Sequence, residues 1–102
     1  MDERKPFEFQ RHPATPKKIA DINGNDVRVR ISGTVLDFTN SIIVLDDGTG
    51  RAEIVSEIPA KEGSFVRVFA RVLALEDRYE LRAELIQDLS GTDKNLYKKV
   101  YG

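Results

Sequence analysis

The 102-residue chain contains 16 lysines and arginines, 17 aspartates and glutamates, a single histidine and no cysteine. Without cysteine there is no disulfide, thiol nucleophile or thiolate metal site, and one histidine cannot form a multi-histidine metal site. The net charge of −1 differs from that of a strongly basic nucleic-acid binder. We therefore expect one globular domain that is not an enzyme and carries no metal or other cofactor.

The sequence also bears on location and on partners. No apolar run approaches the about 18–20 residues of a membrane helix, so we expect no membrane partner. Residues 1–5 are polar and lack the apolar segment of a secretory signal. This favours a cytoplasmic protein, or a nucleoid-associated one in a prokaryote. Residues 1–18 and 94–102 carry charge balances of +2 and +3, and residues 19–93 carry −6, so a polyanion would meet a local basic patch or the tails.

The first predicted elements are an extended tail and a long strand. Residues 1–18 hold three of the four prolines and read as an extended lead-in. Apolar residues then alternate strictly from Val27 to Val35, which is the period of a half-buried strand. Gly33 interrupts this strand and indicates a bulge or a barrel corner, because glycine lets the backbone bend sharply.

The same alternation predicts four more strands. Their ranges are residues 42–45, 51–57, 65–75 and 79–89. In the last of these strands, Leu81, Ala83 and Leu85 should point toward the core. Residues 46–50, Asp-Asp-Gly-Thr-Gly, are predicted to form a tight structural hairpin loop. A phosphotransfer loop is disfavoured because Leu45 stands where its first aspartate would be needed.

Five strands in meander-like order predict closure into a small β-barrel. A bent, glycine-interrupted first strand that serves two sheet edges is what an OB-fold requires, and an SH3-like barrel is the alternative. We therefore predict an all-β, five-stranded OB-fold barrel over residues 19–90. The extended N-terminal tail of residues 1–18 precedes it, and a short C-terminal helix over residues 91–102 follows it.

Three segments of this barrel resemble OB domains of the replication protein A family. They are residues 29–35 (VRISGTV), 44–50 (VLDDGTG) and 63–72 (GSFVRVFARV), and the hairpin sequence LDDGTG is the most specific. The resemblance is closest to the middle- and small-subunit domains, their archaeal counterparts and related telomere-capping proteins. It implies single-stranded DNA binding in replication or repair, with RNA as an open alternative. It also allows a structural subunit of a replication protein A-like or telomere-capping-like complex, which binds other replication protein A-like subunits and has little DNA affinity of its own.

In a DNA-binding member, the resemblance implies a groove on the outer face of the second and third strands, flanked by the loops after the first and fourth strands. The predicted nucleic-acid contacts are Phe38, Asn40, Ile42, Val44, Arg51, Val55, Arg78 and Tyr79. Aromatic rings would stack on bases there, and arginines would follow the phosphates. Tyr79 is equally suited to capping the barrel mouth. The face itself carries no aromatic residue, which favours modest binding.

A second candidate surface is the apolar stripe of the predicted C-terminal helix. Its members, spaced four residues apart in two pairs, are Leu96, Tyr97, Val100 and Tyr101. They pack on the chain's own barrel or, as the resemblance implies, dock against partner helices. An aromatic–basic ladder of Phe65, Arg67, Phe69 and Arg71 lies on one face of the fourth strand. We expect the tail or the helix to cover it, or an interface to form there.

Overall fold

The computed structural model describes residues 13–90, which form six strands and one 3₁₀ turn. The strands are β1 (Thr15–Pro16), β2 (Arg28–Thr39), β3 (Ile42–Asp46), β4 (Arg51–Val55), β5 (Phe65–Ala74) and β6 (Tyr79–Asp88). The 3₁₀ turn, Ile19–Asp21, lies between β1 and β2. The hydrogen-bonded order is β1-β2-β3-β4-β6-β5, and β2 also pairs with β5. The sheet therefore closes on itself as a barrel.

The observed strands follow the predicted ones closely. The ends of β3, β4, β5 and β6 agree with the prediction to within two residues, and β2 continues past Val35 to Thr39. The third predicted strand ends early, at Val55, because Ser56 turns the chain. The buried Ser56 hydroxyl donates to the Ile58 carbonyl at 2.6 Å and accepts from the Ile58 N–H at 3.0 Å.

Gly33 marks the corner at which β2 changes partners. Residues 28–34 of β2 pair with β5, residues 34–39 pair with β3, and Thr34 belongs to both ladders. A Cβ atom on Gly33 would lie 2.6 Å from the Asp46 carbonyl oxygen, so only glycine lets the two backbones approach this closely. The barrel-corner interpretation is confirmed. The bulge in this strand lies further on, at Leu36.

The core is made by the inward residues of every long strand. Its fully buried members include Val29, Ile31, Val35, Ile43, Leu45, Ile54 and Val68. These are the positions that alternation places inside, and each such side chain contributes about 1.5–3 kcal/mol by leaving water. The predicted inward and outward faces of β2, β3, β4 and β5 are therefore confirmed with three exceptions. Val27, just before β2, and Ala74, at the end of β5, are exposed at inward positions, and Phe65 is buried at an outward one.

Strand β6 departs from the prediction at its middle. Leu81 is buried and Ala83 packs against the core, but Leu85 is 49% exposed and its predicted inward position is wrong. The register explains why, since Phe69 pairs with Leu85 while Ala70 pairs with Ala83, which leaves Glu84 as an extra residue. This bulge reverses the alternation beyond it. Ile86 takes the inward place and packs against the core.

The segment before β2 is held against the barrel at two points. Strand β1 pairs in parallel with β2, which covers the free edge of β2 near Val29 and Arg30. Ile19 and Ile22 are buried and belong to the core. Thr15 and Pro16 therefore join the sheet, although they were assigned to the tail that precedes the barrel.

Several predicted features lie outside the described residues. These are residues 1–12 of the predicted tail and the whole predicted helix, with Leu96, Tyr97, Val100 and Tyr101. Among residues 13–90, no helix is long and apolar enough to cross a membrane.

Candidate nucleic-acid interface

The outer face of β3 and β4 is a short ladder of three cross-strand pairs. These are Ile42 opposite Val55, Val44 opposite Glu53, and Asp46 opposite Arg51. The three aliphatic side chains are half-buried, whereas Glu53 and Arg51 are exposed. The Arg51 guanidinium lies 3.5 Å from the Asp46 carboxylate. We call this surface the β3–β4 face; it has an aliphatic end at Ile42 and a charged end at Arg51.

A groove of about 830 Å³ opens along the β4 side of this face, from Arg51 to Val55. One wall is the segment from Ile19 to Gly24, and the other is the loop between β5 and β6 with the start of β6. The loop is short and closed, because the Leu75 N–H donates to the Arg78 carbonyl at 2.7 Å. Strand β4 forms the floor through Arg51, Ala52, Glu53 and Val55. We refer to this space as the groove.

The groove brings together half of the predicted contact residues. Arg51 and Val55 line it from β4, and Arg78 and Tyr79 line it from the β5–β6 connection. These pairs are far apart in the chain and meet because β4 and β6 run in parallel, with Ile54 beside Leu81. The remaining predicted contacts do not line the groove: Ile42 and Val44 lie on β3, opposite Val55 and Glu53, and Phe38 and Asn40 lie at the aliphatic end of the face.

The loop at the aliphatic end is minimal. Thr39 pairs with Ile42, so only Asn40 and Ser41 make the turn. Both have positive φ, 55° and 63°, which is the geometry of a type I′ hairpin turn. Phe38 pairs with Ile43 and packs partly against the core. This end therefore offers the Asn40 side chain and one edge of a ring, and no long loop to fold over a ligand.

Tyr79 sits at the mouth of the barrel. Its ring is half-buried and packs against the core, it lines the groove, and its hydroxyl lies 3.5 Å from the Ile22 carbonyl oxygen. The side chain is therefore positioned both to close the barrel and to meet a group that enters the groove. The charge around it is mixed, because Arg51 and Arg78 share the lining with Glu53, Asp77 and Glu80.

The hairpin loop between β3 and β4 supports one groove wall. The Asp47 carboxylate accepts from the Ile19 N–H at 2.7 Å and from the Thr49 N–H at 2.8 Å, and the Thr49 hydroxyl accepts from the Ala20 N–H at 3.2 Å. These bonds satisfy N–H groups at the start of the 3₁₀ turn, where Lys18 supplies no side-chain cap. The LDDGTG sequence thus clamps the segment that forms the wall.

The same bonds set the ionisation of Asp47. Burial alone would raise the pKa of its carboxyl, but hydrogen bonds from the Thr49 hydroxyl and from the N–H groups of Ile19, Thr49 and Gly50 outweigh it and lower the pKa. Asp46 has a local partner too, since its carboxylate accepts from the Gly48 N–H at 2.7 Å. Among residues 13–90, no group of three or more acidic or histidine side chains is arranged to hold a metal ion.

The chain resembles known proteins in its structure and not in its sequence. No protein-family model and no curated protein matches the sequence. Among solved structures, the Stn1–Ten1 complex of S. pombe matches with a TM-score of 0.68 and 19% identity over 87% of this chain and 89% of that one. The second OB-fold domain of replication protein A from Methanococcus maripaludis matches with a TM-score of 0.60 and 15% identity over 78% of this chain and all of that one.

The protein has an OB-fold. A replication protein A heterotrimer bound to single-stranded DNA also matches, with a TM-score of 0.56 and 17% identity over 74% of this chain and 63% of that one. The predicted OB-fold is confirmed over the SH3-like alternative. In the OB-fold, strands two and three correspond to β3 and β4, and the flanking loops are the Asn40–Ser41 turn and residues 75–78.

Sequence reasoning missed the groove wall formed by residues 19–24. The signal was present as Ile19 and Ile22, three residues apart, followed by the turn Asn23-Gly24. What the sequence could not reveal was the partner of this segment, because the bonds from Ile19 and Ala20 reach 28 and 29 residues along the chain. The OB-fold groove thus has a wall contributed from outside the five barrel strands.

The members of the aromatic–basic ladder on β5 differ in their exposure to solvent. Phe65 is only 2% exposed, Arg67 and Phe69 are half-buried, and Arg71 is exposed. The ladder lies on the outer face of β2, β5 and β6, away from the groove floor on β4.

Proposed function

We propose that this OB-fold protein binds single-stranded DNA along the β3–β4 face and into the groove. The convergence of Arg51, Val55, Arg78 and Tyr79 in one groove carries this proposal. It combines two cations, an aromatic ring and an aliphatic surface, which are the groups that sequence-independent single-strand binding uses. The function is binding alone; the protein is not an enzyme and makes or breaks no bond in the nucleic acid.

The parts of the face take different roles. Arg51 and Arg78 are the phosphate contacts at the charged end, and both side chains are exposed. Bases lie across the aliphatic side chains of Ile42, Val44 and Val55, and one base meets the Tyr79 ring. Two phosphate contacts give a salt slope of about −1.4, because each contributes about 0.7 for a single strand. Glu53, Asp77 and Glu80 oppose this attraction, so the affinity is modest.

The structural neighbours support a setting in DNA maintenance. One matched structure is a replication protein A heterotrimer bound to single-stranded DNA, and another is the telomere capping protein Ten1 from Saccharomyces pombe. A protein of replication protein A type would act in DNA replication or repair. In a prokaryote it would therefore be cytoplasmic and associated with the nucleoid. RNA presents the same phosphates and equally stackable base faces, so the face accepts it by the same contacts.

A structural subunit is the second candidate. The carboxylates of the groove lining and the minimal Asn40–Ser41 turn favour it, because they weaken the hold on a polyanion. Leu36, at the β2 bulge, and Leu75, in the β5–β6 loop, are also exposed, at 39% and 42%. The match to Stn1–Ten1, solved as a complex, supports a role with a partner subunit. In that role the predicted stripe of Leu96, Tyr97, Val100 and Tyr101 would make the interface.

The two candidates are separated by fluorescence anisotropy with a labelled 20-nucleotide thymidine strand at several salt concentrations. Binding through the face predicts saturable binding that weakens with salt, exceeds binding to duplex DNA, and falls for Tyr79→Ala and Arg78→Gln. Lys61→Gln, which removes a cation from the exposed connector between β4 and β5, is the matched control and keeps wild-type affinity. Absence of binding at low salt would overturn the DNA-binding proposal and leave the structural subunit.

A further inference from the structure

One row of directly paired residues runs from the β3–β4 face around the barrel. Ile42 pairs with Val55, Val55 with Arg82, Arg82 with Arg71, and Arg71 with Arg28. Neighbouring strands lie about 4.8 Å apart, so Val55 and Arg28 are separated by about 14 Å of curved sheet. The row begins at the aliphatic end of the proposed DNA surface and ends in three consecutive arginines.

The surface that the row enters is strongly basic. The outer face of β2, β5 and β6, which we call the arginine face, carries Arg28, Arg30, Arg67, Arg71 and Arg82. Glu80 and Glu84 are its acidic members. The groove lining has the opposite balance, with three carboxylates against two arginines. In a chain with a net charge of −1, the arginine face is thus a local cationic patch of the kind that a polyanion requires.

The carboxylates of the arginine face engage the outer two arginines of the row. Glu84 bonds Arg28 through two contacts of 2.6 and 2.9 Å, and Glu80 bonds Arg82 at 2.6 Å. Arg71 lies between these two arginines, is exposed, and makes no ion pair with any other residue of the described range 13–90. Like charges placed directly opposite on neighbouring strands destabilise a sheet, and an anion bound over Arg71 would relieve that repulsion.

We propose that a bound single strand leaves the β3–β4 face at Val55, crosses β6 and continues onto the arginine face, with phosphates at Arg82 and Arg71. This inference rests on the proposed function and extends its binding site. Nucleic acid is favoured over a protein partner because the row is continuous with the proposed DNA surface and its cations follow one another across the strands. The exposed Leu85, beside Phe69 in the adjacent row, offers an apolar surface for a base.

Salt slopes measured with the 20-nucleotide thymidine strand test this path. The expected slope is steeper than the −1.4 of the groove arginines alone. Arg71→Gln lowers its magnitude by about 0.7, and Arg71→Gln with Arg82→Gln lowers it by about 1.4. Arg78→Gln also lowers the magnitude of the slope by about 0.7, because it removes a phosphate contact in the groove. Lys61→Gln removes the same charge from a position off the path and leaves the slope unchanged.

The outcomes distinguish this inference from the function beneath it. If the magnitude of the slope decreases for Arg78→Gln but not for Arg71→Gln, the extended path is overturned and the proposed function remains intact. If it decreases for Arg71→Gln alone, the strand does not bind in the groove, and the continuous path is overturned as well. Equal losses in all three single variants, Lys61→Gln included, reflect net charge and overturn the path. Absence of binding overturns both proposals.

Crosslinking gives a second readout that does not depend on charge. The chain has no cysteine, so a single introduced cysteine can carry a photoreactive label. Leu85→Cys places the label on the arginine face, and Glu62→Cys places it in the exposed connector between β4 and β5 as the control. The path predicts crosslinks to the thymidine strand from position 85 that exceed those from position 62. Equal crosslinking from the two positions would overturn it.

Discussion

Gly33 shows how one residue determines barrel closure. It lies where β2 passes from β5 to β3, and the Asp46 backbone occupies the space in which a side chain would sit. The position was identifiable from sequence, because a glycine in a strictly alternating strand indicates a bend. The choice between a bulge and a corner was not, since it depends on Asp46, 13 residues further along the chain.

Gly33→Ala tests this role. The added Cβ would lie 2.6 Å from a carbonyl oxygen that the β2–β3 ladder holds in place, so we expect a loss of about 1–3 kcal/mol in the free energy of unfolding. Gly24→Ala is the matched control, because a Cβ there meets no atom within 4 Å. Urea denaturation measures both variants. Equal stabilities for the two would contradict the close approach at Gly33.

Asp47 links the hairpin loop to the groove wall, and its ionisation makes that link pH-dependent. A carboxyl with a lowered pKa stabilises the folded state above its ordinary value of about 4, and this stabilisation is lost as the pH falls through the lowered value. Asp47→Asn should therefore cost about 1–2 kcal/mol at pH 7, through weaker bonds to Ile19 and Thr49. The variant should also lose less stability than the wild type between pH 5 and pH 2.

Thermal unfolding across that pH range provides the measurement for Asp47. Asp77→Asn, in the exposed β5–β6 loop, serves as the control and should remain within about 0.5 kcal/mol of the wild type at pH 7. A wild-type level of stability for Asp47→Asn at pH 7 would show that the clamp on the 3₁₀ turn contributes nothing.

Among the elements, β6 marks where pattern reasoning fails. Alternation placed Leu81 and Ala83 correctly but reversed Leu85, because the bulge at Glu84 adds one residue that no period-two pattern contains. Glu84, the extra residue, accepts a hydrogen bond from Arg28, 56 residues away in the sequence, so the partner of the bulge is not visible locally. β3 and β4 kept their predicted faces because they have no such insertion, and β2 kept them up to Val35, before its own bulge at Leu36.

The bulge predicts unequal effects for two neighbouring leucine-sized residues. Ile86→Ala should cost about 1–2 kcal/mol, because Ile86 packs against the core. Leu85→Ala should stay within about 0.5 kcal/mol of the wild type, because Leu85 is exposed. Urea denaturation of the two variants is the measurement, each serving as the control for the other. A larger loss for Leu85→Ala would place the bulge elsewhere.

For the whole molecule, topology determines which charges meet. The net charge of −1 and the acidic balance of residues 19–93 conceal a face on which five arginines gather. The alternation and the glycine-interrupted first strand indicated the OB-fold. The resemblance implied where the groove lies, and alternation then placed on it four residues that line it. The sequence did not indicate the row of Arg82, Arg71 and Arg28, because these residues come from three strands whose neighbours are fixed only when the barrel closes.

If the protein is instead a structural subunit, substitutions in the predicted C-terminal helix should affect its binding to a partner subunit. If the predicted C-terminal stripe binds a partner subunit, Leu96→Ala with Val100→Ala should abolish recovery of that subunit in a co-purification, because two apolar anchors are lost. Lys98→Ala, on the same predicted helix but off the stripe, is the control and should keep the complex. An intact complex with the double variant would remove the helix interface.

The most direct test of DNA binding is residue-resolved mapping of the contact surface. At 11.5 kDa the protein suits amide chemical-shift perturbation by NMR during titration with a 20-nucleotide thymidine strand. Binding along the β3–β4 face and the groove should shift the amide signals of Ile42, Val44, Arg51, Val55, Arg78 and Tyr79, and the extended path should also shift those of Arg82 and Arg71. No shifts at saturating strand, or shifts confined to residues off the β3–β4 face and the groove, would contradict the proposed binding.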